Sequence, residues 1–551
     1  MHHRQAGRPW PRRLPLPTIL ALLLMGACVA LLATVVIARR GNLGWDDADY
    51  LRRGLADARL SASPNPMLLI PRALDRLLQE RPKPPFLVAW IAAGALLAGR
   101  SNLDGLMVFA SVVPFTLVMA SVVLVARRLH GRGAGLVALI LLIASPGALS
   151  FGARVMVETF LSLWLLLAVW LSSLLLARPS RKLGVVLGLV AGLAALTKLT
   201  TVLFLPGILL PFLPGALASG PQRSTRVRAL GWACLTCAAV AGPWYVRNLG
   251  DALEFAFFSA RCNVIAGDLV AFIPVSHRLA CILNDLPGPI LLTTLTMPGL
   301  CAAFRSRRPT VRIPGGELLP PVFERLSVSS LILAATILMI PPYFDSRFLL
   351  PIWPAAAVVL SGRLAVSRPA WTPAGKAVRT AGLAASVALS ALFLVNEPVA
   401  NTYWRAQALI DSLVSRYAIA SLANVGNTAH WNVCKTGLIN ELRERPGDCF
   451  ALHDLSSETP EGLKARLRRF DAVVVLDRTA LPAGLDRSPG LNRAYGGLED
   501  AIHANGQFKR VDEHPREGLP PLSVYVRFED RGAEENAGVA SHDQTGDPTR
   551  G

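Results

Sequence analysis

Residues 183–217 read LGVVLGLVAGLAALTKLTTVLFLPGILLPFLPGAL, an apolar run interrupted only by Thr197-Lys198-Leu199-Thr200-Thr201. A helix rises ~1.5 Å per residue and a bilayer core is roughly 30 Å thick, so one crossing uses about 20 residues. The run is too long for a single crossing, and its polar break falls near the middle. The spacing predicts two short helices, Leu183–Ala195 and Thr201–Leu217, joined by a tight turn that puts Lys198 at a membrane edge. A chain built from such hairpins is a polytopic α-helical membrane protein.

Outward from this stretch the pattern repeats. Further spans are predicted at Thr18–Ala38, Gly105–Ala126, Ala134–Ser150, Thr159–Ala177, Ala229–Val246, Pro287–Phe304, Leu326–Ile340, Phe348–Val366 and Ala381–Val395, about 11 transmembrane helices with the hairpin included. Phe86–Ala98 is apolar but short, and reads as an interfacial or re-entrant helix. The first span follows a basic tail, residues 1–17, with Arg4, Arg8, Arg12 and Arg13; it is too long for a signal-peptide core and reads as an uncleaved helix.

The whole chain of 551 residues is 52% hydrophobic and 17% charged, with a mean hydropathy of +0.43 and a net charge of +19. This excludes a disordered chain and an ordinary soluble enzyme. Basicity of this size suggests a nucleic-acid partner until the charges are located. With Phe86–Ala98 not crossing, the segments 1–13, 127–132, 178–182, 223–228, 305–312 and 363–379 share one side; they hold 21 basic residues and no acidic one. The positive-inside bias makes that side cytoplasmic, so the charge is an orientation signal and no nucleic acid is implied. The expected setting is the cytoplasmic (inner) membrane of a bacterium, multi-pass, with the N-terminus inside.

After Glu397 the character changes. A helical stretch at Trp404–Ser415, an amphipathic stretch at Pro460–Arg469 and β-type runs at Ala472–Leu476 and Leu522–Phe528 predict a small C-terminal α/β domain over residues 399–530, extracytoplasmic after an odd number of crossings. Residues 531–551 read as a disordered tail. Cys28, Cys234, Cys237 and Cys301 read as buried thiols. Cys262 with Cys281, and Cys434 with Cys449, stand in polar segments and are candidate disulfides.

The candidate chemistry lies on the outer side. The first outer loop, residues 39–104, opens with Gly44-Trp45-Asp46-Asp47-Ala48-Asp49-Tyr50. Three carboxylates this close supply a general base, hold a divalent cation, or form a plain solvated turn. Arg81-Pro82-Lys83-Pro84-Pro85 holds a cation stiffly, or stops a helix. Arg154 and Glu158 are spaced to pair on one helical turn. Lys198 opposes the charge bias and calls for a negative partner, snorkelling being the alternative. Arg347, in Pro341-Pro342-Tyr343-Phe344-Asp345-Ser346-Arg347-Phe348, presents a fork suited to phosphate, unless Asp345 neutralises it. Cations and carboxylates converging at headgroup depth suit a lipid-linked phosphate substrate. The competing reading is a lipid or glycolipid translocator or transporter; such sites usually lie near the midplane, where these spans carry few charges.

These pieces resemble the bacterial branch of the GT-C membrane glycosyltransferases, especially glycosyltransferase family 39, which includes protein O-mannosyltransferases and the aminoarabinose transferase of lipid A. The resemblance runs from about Leu20 to Phe528. It rests on Asp46-Asp47-Ala48-Asp49-Tyr50, Lys83-Pro84-Pro85, Ala153-Arg154 with Glu158, Leu196-Thr197-Lys198, Pro243-Trp244-Tyr245-Val246-Arg247-Asn248 and Arg347-Phe348-Leu349-Leu350-Pro351. It implies a GT-C-like transmembrane catalytic domain over residues 18–398. It also implies a polyprenyl-phosphate-linked sugar as donor, an envelope glycan, lipid or protein hydroxyl as acceptor, and inversion at the anomeric carbon. Asp46 or Asp47 would be the base; the family's usual Asp-Glu pair is Asp46-Asp47 here. Lys198, Arg347 and Lys83 would hold the donor phosphate, and Arg154 and Glu158 would lie on the acceptor side. No cofactor is assigned, and a divalent cation on Asp46, Asp47 and Asp49 stays open.

Overall fold

The computed structural model describes residues 15–38, 43, 45–61, 71, 75, 78–79, 83–267, 279–280, 283, 319–338, 349–366, 373–396, 402–417, 419–425, 447–450, 460–476, 489–504, 506–511 and 522–528. The span expected at Pro287–Phe304, Arg347, Asp345, and the tail 531–551 lie outside them. So do Cys281 and Cys434, one member of each expected disulfide.

The chain divides into two units, residues 1–399 and 400–551. The first is helical: α1 (Leu16–Ala38), α2 (Trp45–Ser61), α3 (Phe86–Ala98), α4 (Leu103–His130), α5 (Arg132–Ile143), α6 (Pro146–Gly152), α7 (Val157–Ala177), α8 (Arg181–Thr197), α9 (Thr201–Leu217), α10 (Arg223–Gly267), α11 (Leu319–Leu338), α12 (Trp353–Val366) and α13 (Pro373–Asn396). Among the described residues α1, α4, α7 and the Arg223–Leu253 part of α10 are long and apolar enough to cross a membrane. The pair α5 and α6 makes a fifth if counted as one bent span. The chain is a multi-pass membrane protein.

The expected continuous span Ala134–Ser150 is instead broken by 80° between α5 and α6. Ser145 and Pro146 explain the break: the serine side chain accepts from the Ala148 N–H at 3.2 Å as an N-cap, and proline takes the first helical position. The Ala144 carbonyl released at the bend accepts from Ser390 Oγ of α13 at 2.9 Å. The expected Ala229–Val246 is a helix of 45 residues, since Pro243 is the one proline within it. Cys28 is a buried free thiol as expected, but Cys234 is exposed on the outward side of α10 and Cys237 is half-buried.

The polar break at Lys198 does form the turn between α8 and α9. α8 packs on α10 through glycines four residues apart. A Cβ on Gly184 would lie 2.1 Å from the Ala229 carbonyl oxygen, one on Gly188 2.2 Å from that of Ala233, and one on Gly192 2.8 Å from Val240 Cβ. Only bare backbone permits this approach, the small-residue packing that lipid-embedded helices favour. α8 and α10 run in the same direction, because the partner numbers rise together.

α9 contains Pro206, Pro211 and Pro214. Pro211 has no N–H for the carbonyl four residues back, that of Gly207. That carbonyl instead accepts from Ser329 Oγ of α11 at 2.5 Å, while Ser330 Oγ donates to the Phe204 carbonyl at 3.1 Å. In an apolar surround a freed carbonyl needs such a donor.

The second unit holds α14 (Thr402–Tyr417), β1 (Leu422–Val425), β2 (Gly447–Phe450), α15 (Pro460–Leu467), β3 (Ala472–Leu476), α16 (Pro489–Ala504), β4 (Phe508–Val511) and β5 (Leu522–Arg527). The sheet order is β2-β1-β3-β5-β4, with β1 parallel to β2 and β3, and β5 antiparallel to β3 and β4. Its core joins Leu463, Leu467, Val473, Val475, Leu498, Ile502 and Tyr525. Asp471 ties the start of β1 to β5: Oδ2 accepts from the Ala420 and Ser421 N–H groups at 3.0 and 2.9 Å, and Oδ1 from Arg527 at 2.9 Å.

Candidate active site

α2 begins at Trp45 with Asp46 and Asp47 in its first turn, where the helix dipole favours negative charge. Helical geometry then separates the three carboxylates. Asp46 and Asp49 are three residues apart and share a face; Asp47 is turned about 100° away. Lys83 meets the shared face, with Nζ 3.2 Å from Asp49 Oδ2 and 3.8 Å from Asp46 Oδ1. Arg52 and Arg53 also approach Asp49, at 3.4 and 3.7 Å. Burial works against the charged Asp49 carboxylate, but Lys83, Arg53 and Arg52 outweigh it and hold its pKa below the ordinary value. Burial likewise opposes the Lys83 ammonium, and Tyr50, Asp49 and Asp46 outweigh it, so its pKa is raised.

Asp47 has a different task. It is 3% exposed, and its Oδ1 accepts from the backbone N–H of Val155 at 2.6 Å. A charge-assisted bond of this length anchors α2 to the segment that starts α7. Asp46 is the more open of the pair facing Lys83, with 32% of its side chain exposed against 12% for Asp49.

Arg154 and Glu158 do not share a helical turn as expected. Arg154 lies in the turn after α6, Met156 is extended (φ −127°, ψ 141°) as the cap of α7, and Glu158 stands in the first turn of α7. Lys198 reaches Glu158 instead, Nζ to Oε1 at 2.5 Å, with Glu158 2% and Lys198 20% exposed at the side chain. Tyr50 joins the two groups: its ring lies 5.1 Å from Lys83 Nζ, and the phenol pKa is pushed up to about 12, first by burial and then by the charges of Asp46 and Glu158 against that of Lys83. Asp46, Asp49 and Lys83 form one ion cluster and Glu158 and Lys198 a second, with Tyr50 subject to charge from both; this constellation draws on four separate stretches of chain. The sequence reading gave no role to Tyr50, nor to the Val155 amide, which no side-chain pattern signals. Among the described residues, no group of three or more His, Cys, Asp or Glu gathers in a manner suited to a metal.

The Lys198 turn is held from three sides. Lys198 N–H and Thr201 Oγ1 both donate to the Ala194 carbonyl, at 3.3 and 2.8 Å. Thr197 Oγ1 donates to Leu193 and accepts from Trp164 Nε1 at 3.1 Å. Behind it Trp164, Phe160, Phe86, Trp90 and Phe109 pack ring on ring, Trp90 and Phe109 stacked at 4.6 Å. These rings form a rigid wall between α3, α4 and α7.

Residues 82–246 match the family model described as Dolichyl-phosphate-mannose-protein mannosyltransferase. The matched stretch includes Lys83, Arg154, Glu158 and Lys198. No curated protein sequence is a significant match. Among solved structures, the chain is similar to ArnT from Cupriavidus metallidurans in the apo state, with TM-score 0.55 and 14% identity over 92% of this chain and 97% of that one. It is similar to the same protein bound to undecaprenyl phosphate, with TM-score 0.52 and 15% identity over 92% and 98%. These likenesses establish a shared fold. The chain therefore carries, within a membrane fold like that of ArnT, a segment similar to a mannosyltransferase family that takes in Lys83, Glu158 and Lys198.

Proposed function

We propose that the protein transfers a sugar from a polyprenyl-phosphate donor to a hydroxyl of an envelope glycan, lipid or protein, at the outer face of a bacterial inner membrane. The observation that carries this is a half-open carboxylate, Asp46, paired with Lys83, together with a second lysine, Lys198, paired with Glu158, each pair drawn from distant segments. The undecaprenyl phosphate held by the ArnT structure of like fold supports the donor class. Eleven crossings, a cytoplasmic N-terminus and an outer C-terminal unit complete the reading.

Asp46 would act as the base. A neutral hydroxyl is a poor nucleophile, and a placed carboxylate contributes about 10²–10⁴-fold by taking its proton. The acceptor oxygen then bonds to the anomeric carbon as the bond from that carbon to the phosphate oxygen breaks, with inversion. The electron pair leaves with the polyprenyl phosphate, whose growing negative charge Lys83, Lys198 and Arg347 would stabilise. Asp47 would hold the base-bearing helix in place, and Glu158 would keep Lys198 oriented until the phosphate arrives. Arg154, at the start of the same segment, belongs to the acceptor side in this reading.

The test incubates purified protein in lipid with a radiolabelled polyprenyl-phosphate sugar and a delipidated envelope extract. Label should appear in a new glycosidic linkage with wild type and not with Asp46→Asn. Label that crosses the bilayer without forming a linkage would overturn the reading in favour of a translocator.

A further inference from the structure

One turn of α10, Trp244-Tyr245-Val246-Arg247-Asn248, touches both stretches of chain that carry the lysines. Trp244 is 2% exposed and Asn248 is fully buried, so one face of this turn is fixed in the helical core while Val246 stands exposed on the other. Tyr245 Oη donates to the carbonyl of Ala195 at 3.0 Å. Ala195 lies in the last turn of α8, where carbonyls lose their helical partners because Lys198 is extended (φ −156°, ψ 140°). The phenol therefore caps the end of the helix from which Lys198 projects. Asn248 Nδ2 donates twice: to the Trp244 carbonyl one turn back at 3.0 Å, and to the Leu78 carbonyl at 2.9 Å. The first bond orients the amide, and the second fastens the outer loop five residues before Lys83.

Resting on the reading that both lysines hold donor phosphate, we propose that Tyr245 and Asn248 are positioning residues that set the separation of Lys83 and Lys198 for a lipid-linked phosphate. Neither side chain reaches the acidic constellation. Each acts on the backbone that carries a cation, and the two attachment points are three residues apart on one rigid helix. The glycine stripe of α8 extends the same control, because Gly192 meets Val240 just below Tyr245. A phosphate gripped by two ammonium groups is sensitive to the distance between them, whereas the polyprenyl tail is not.

Tyr245→Phe and Asn248→Leu remove the donors while keeping side-chain volume. The probes are undecaprenyl phosphate and phosphate-free undecaprenol, bound to full-length protein in nanodiscs, alongside turnover at varied donor concentration. Each variant should weaken undecaprenyl phosphate binding about 3–10-fold, the loss of its one hydrogen bond to a lysine-bearing stretch, and the double variant by roughly the product. Donor KM should rise in parallel, any fall in kcat at saturating donor should be no larger than the rise in KM, and undecaprenol binding should not change. Equal weakening of both probes, or a fall in kcat with KM unchanged, would overturn the proposal. Lys83→Ala and Lys198→Ala are measured beside them. If the lysine variants bind undecaprenyl phosphate as wild type does, the parent reading is wrong; if they weaken and Tyr245→Phe and Asn248→Leu do not, only the positioning role is.

Discussion

Lys198 Nζ stands 2.5 Å from Glu158 Oε1, an ion pair that joins the first turn of α7 to the turn between α8 and α9 around a carboxylate only 2% exposed. Removing one partner of a buried pair strands the other charge, at a cost of about 3–5 kcal/mol, whereas removing both costs less. Lys198→Met should therefore lower the thermal unfolding midpoint of detergent-solubilised protein more than the double variant Lys198→Met/Glu158→Gln does. Equal destabilisation by the two would show that Glu158 is not dependent on Lys198.

Asp46 and Asp47 should separate cleanly on substitution. Asp46→Asn is expected to reduce turnover about 10²–10⁴-fold with little change in unfolding midpoint. Asp47→Ala leaves the Val155 N–H without its acceptor and should cost about 1–3 kcal/mol of stability. Steady-state kinetics and thermal melts on the same preparations check both; loss of turnover in Asp46→Asn accompanied by an equal loss of stability would remove the base assignment.

In the second unit, Asp471 has its pKa lowered. Burial opposes its charge, but the Ser421 hydroxyl, the Ala420 and Ser421 amides and Arg527 outweigh it. A lowered folded value contributes stability that is fully present above the ordinary 3.8 and is lost as pH falls through the folded pKa. Wild type should thus unfold at a higher temperature than Asp471→Asn at pH 6, and the gap should shrink below about pH 3.8. Hydrogen exchange at Ala420 and Ser421, corrected for intrinsic rates, reads the same transition locally; a gap that widens in acid would contradict the sign.

The joint between α9 and α11 makes a paired prediction. Ser329→Ala leaves the Gly207 carbonyl short of a donor and should destabilise by about 1–3 kcal/mol. Pro211→Leu restores the helical N–H, so adding it should recover part of that loss. Gly188→Val should be severe, because its Cβ would fall 2.2 Å from the Ala233 oxygen, while Gly26→Ala, with open space, serves as the neutral control. Unfolding midpoints in detergent decide all four.

Orientation is checked with single cysteines. One replacing Thr200 should react with an impermeant thiol reagent from outside intact spheroplasts, and one replacing Ser224 should not. Thr200 caps the start of α9, a helix of 17 residues and about 25 Å, and Ser224 lies beyond its other end in the first turn of α10. The reverse pattern would move the constellation to the cytoplasmic side.

Much of this arrangement was legible because apolar runs and polar interruptions are local signals. Phe86–Ala98 forms a helix with the bounds of its apolar run, and Thr197-Lys198-Leu199-Thr200-Thr201 makes the turn its polarity demanded. The break at Ser145-Pro146 carried a cap signature, yet hydropathy averaged over it. α10 continued past Val246 because Arg247, Asn248 and Asp251 are compatible with a helix and only read as an ending by polarity. The site was legible as a set of residues but not as pairs. Lys198 needed a negative partner, and nothing local named Glu158 over other acids. Asp46 and Asp47 differ by one residue in sequence and by a rotation on α2, which only the helix's contacts with Lys83 and Val155 resolve.

The serine that meets the proline-freed carbonyl has one further consequence. Greasy helices can slide and roll against one another at little expense, since one methyl resembles the next. Two carbonyls on α9 and two adjacent hydroxyls on α11 work as notches and teeth, stopping both sliding and rolling at a single setting. α9 begins three residues after Lys198. A proline that looks like a flaw in one helix thereby acts as a depth gauge for the stretch that carries Lys198.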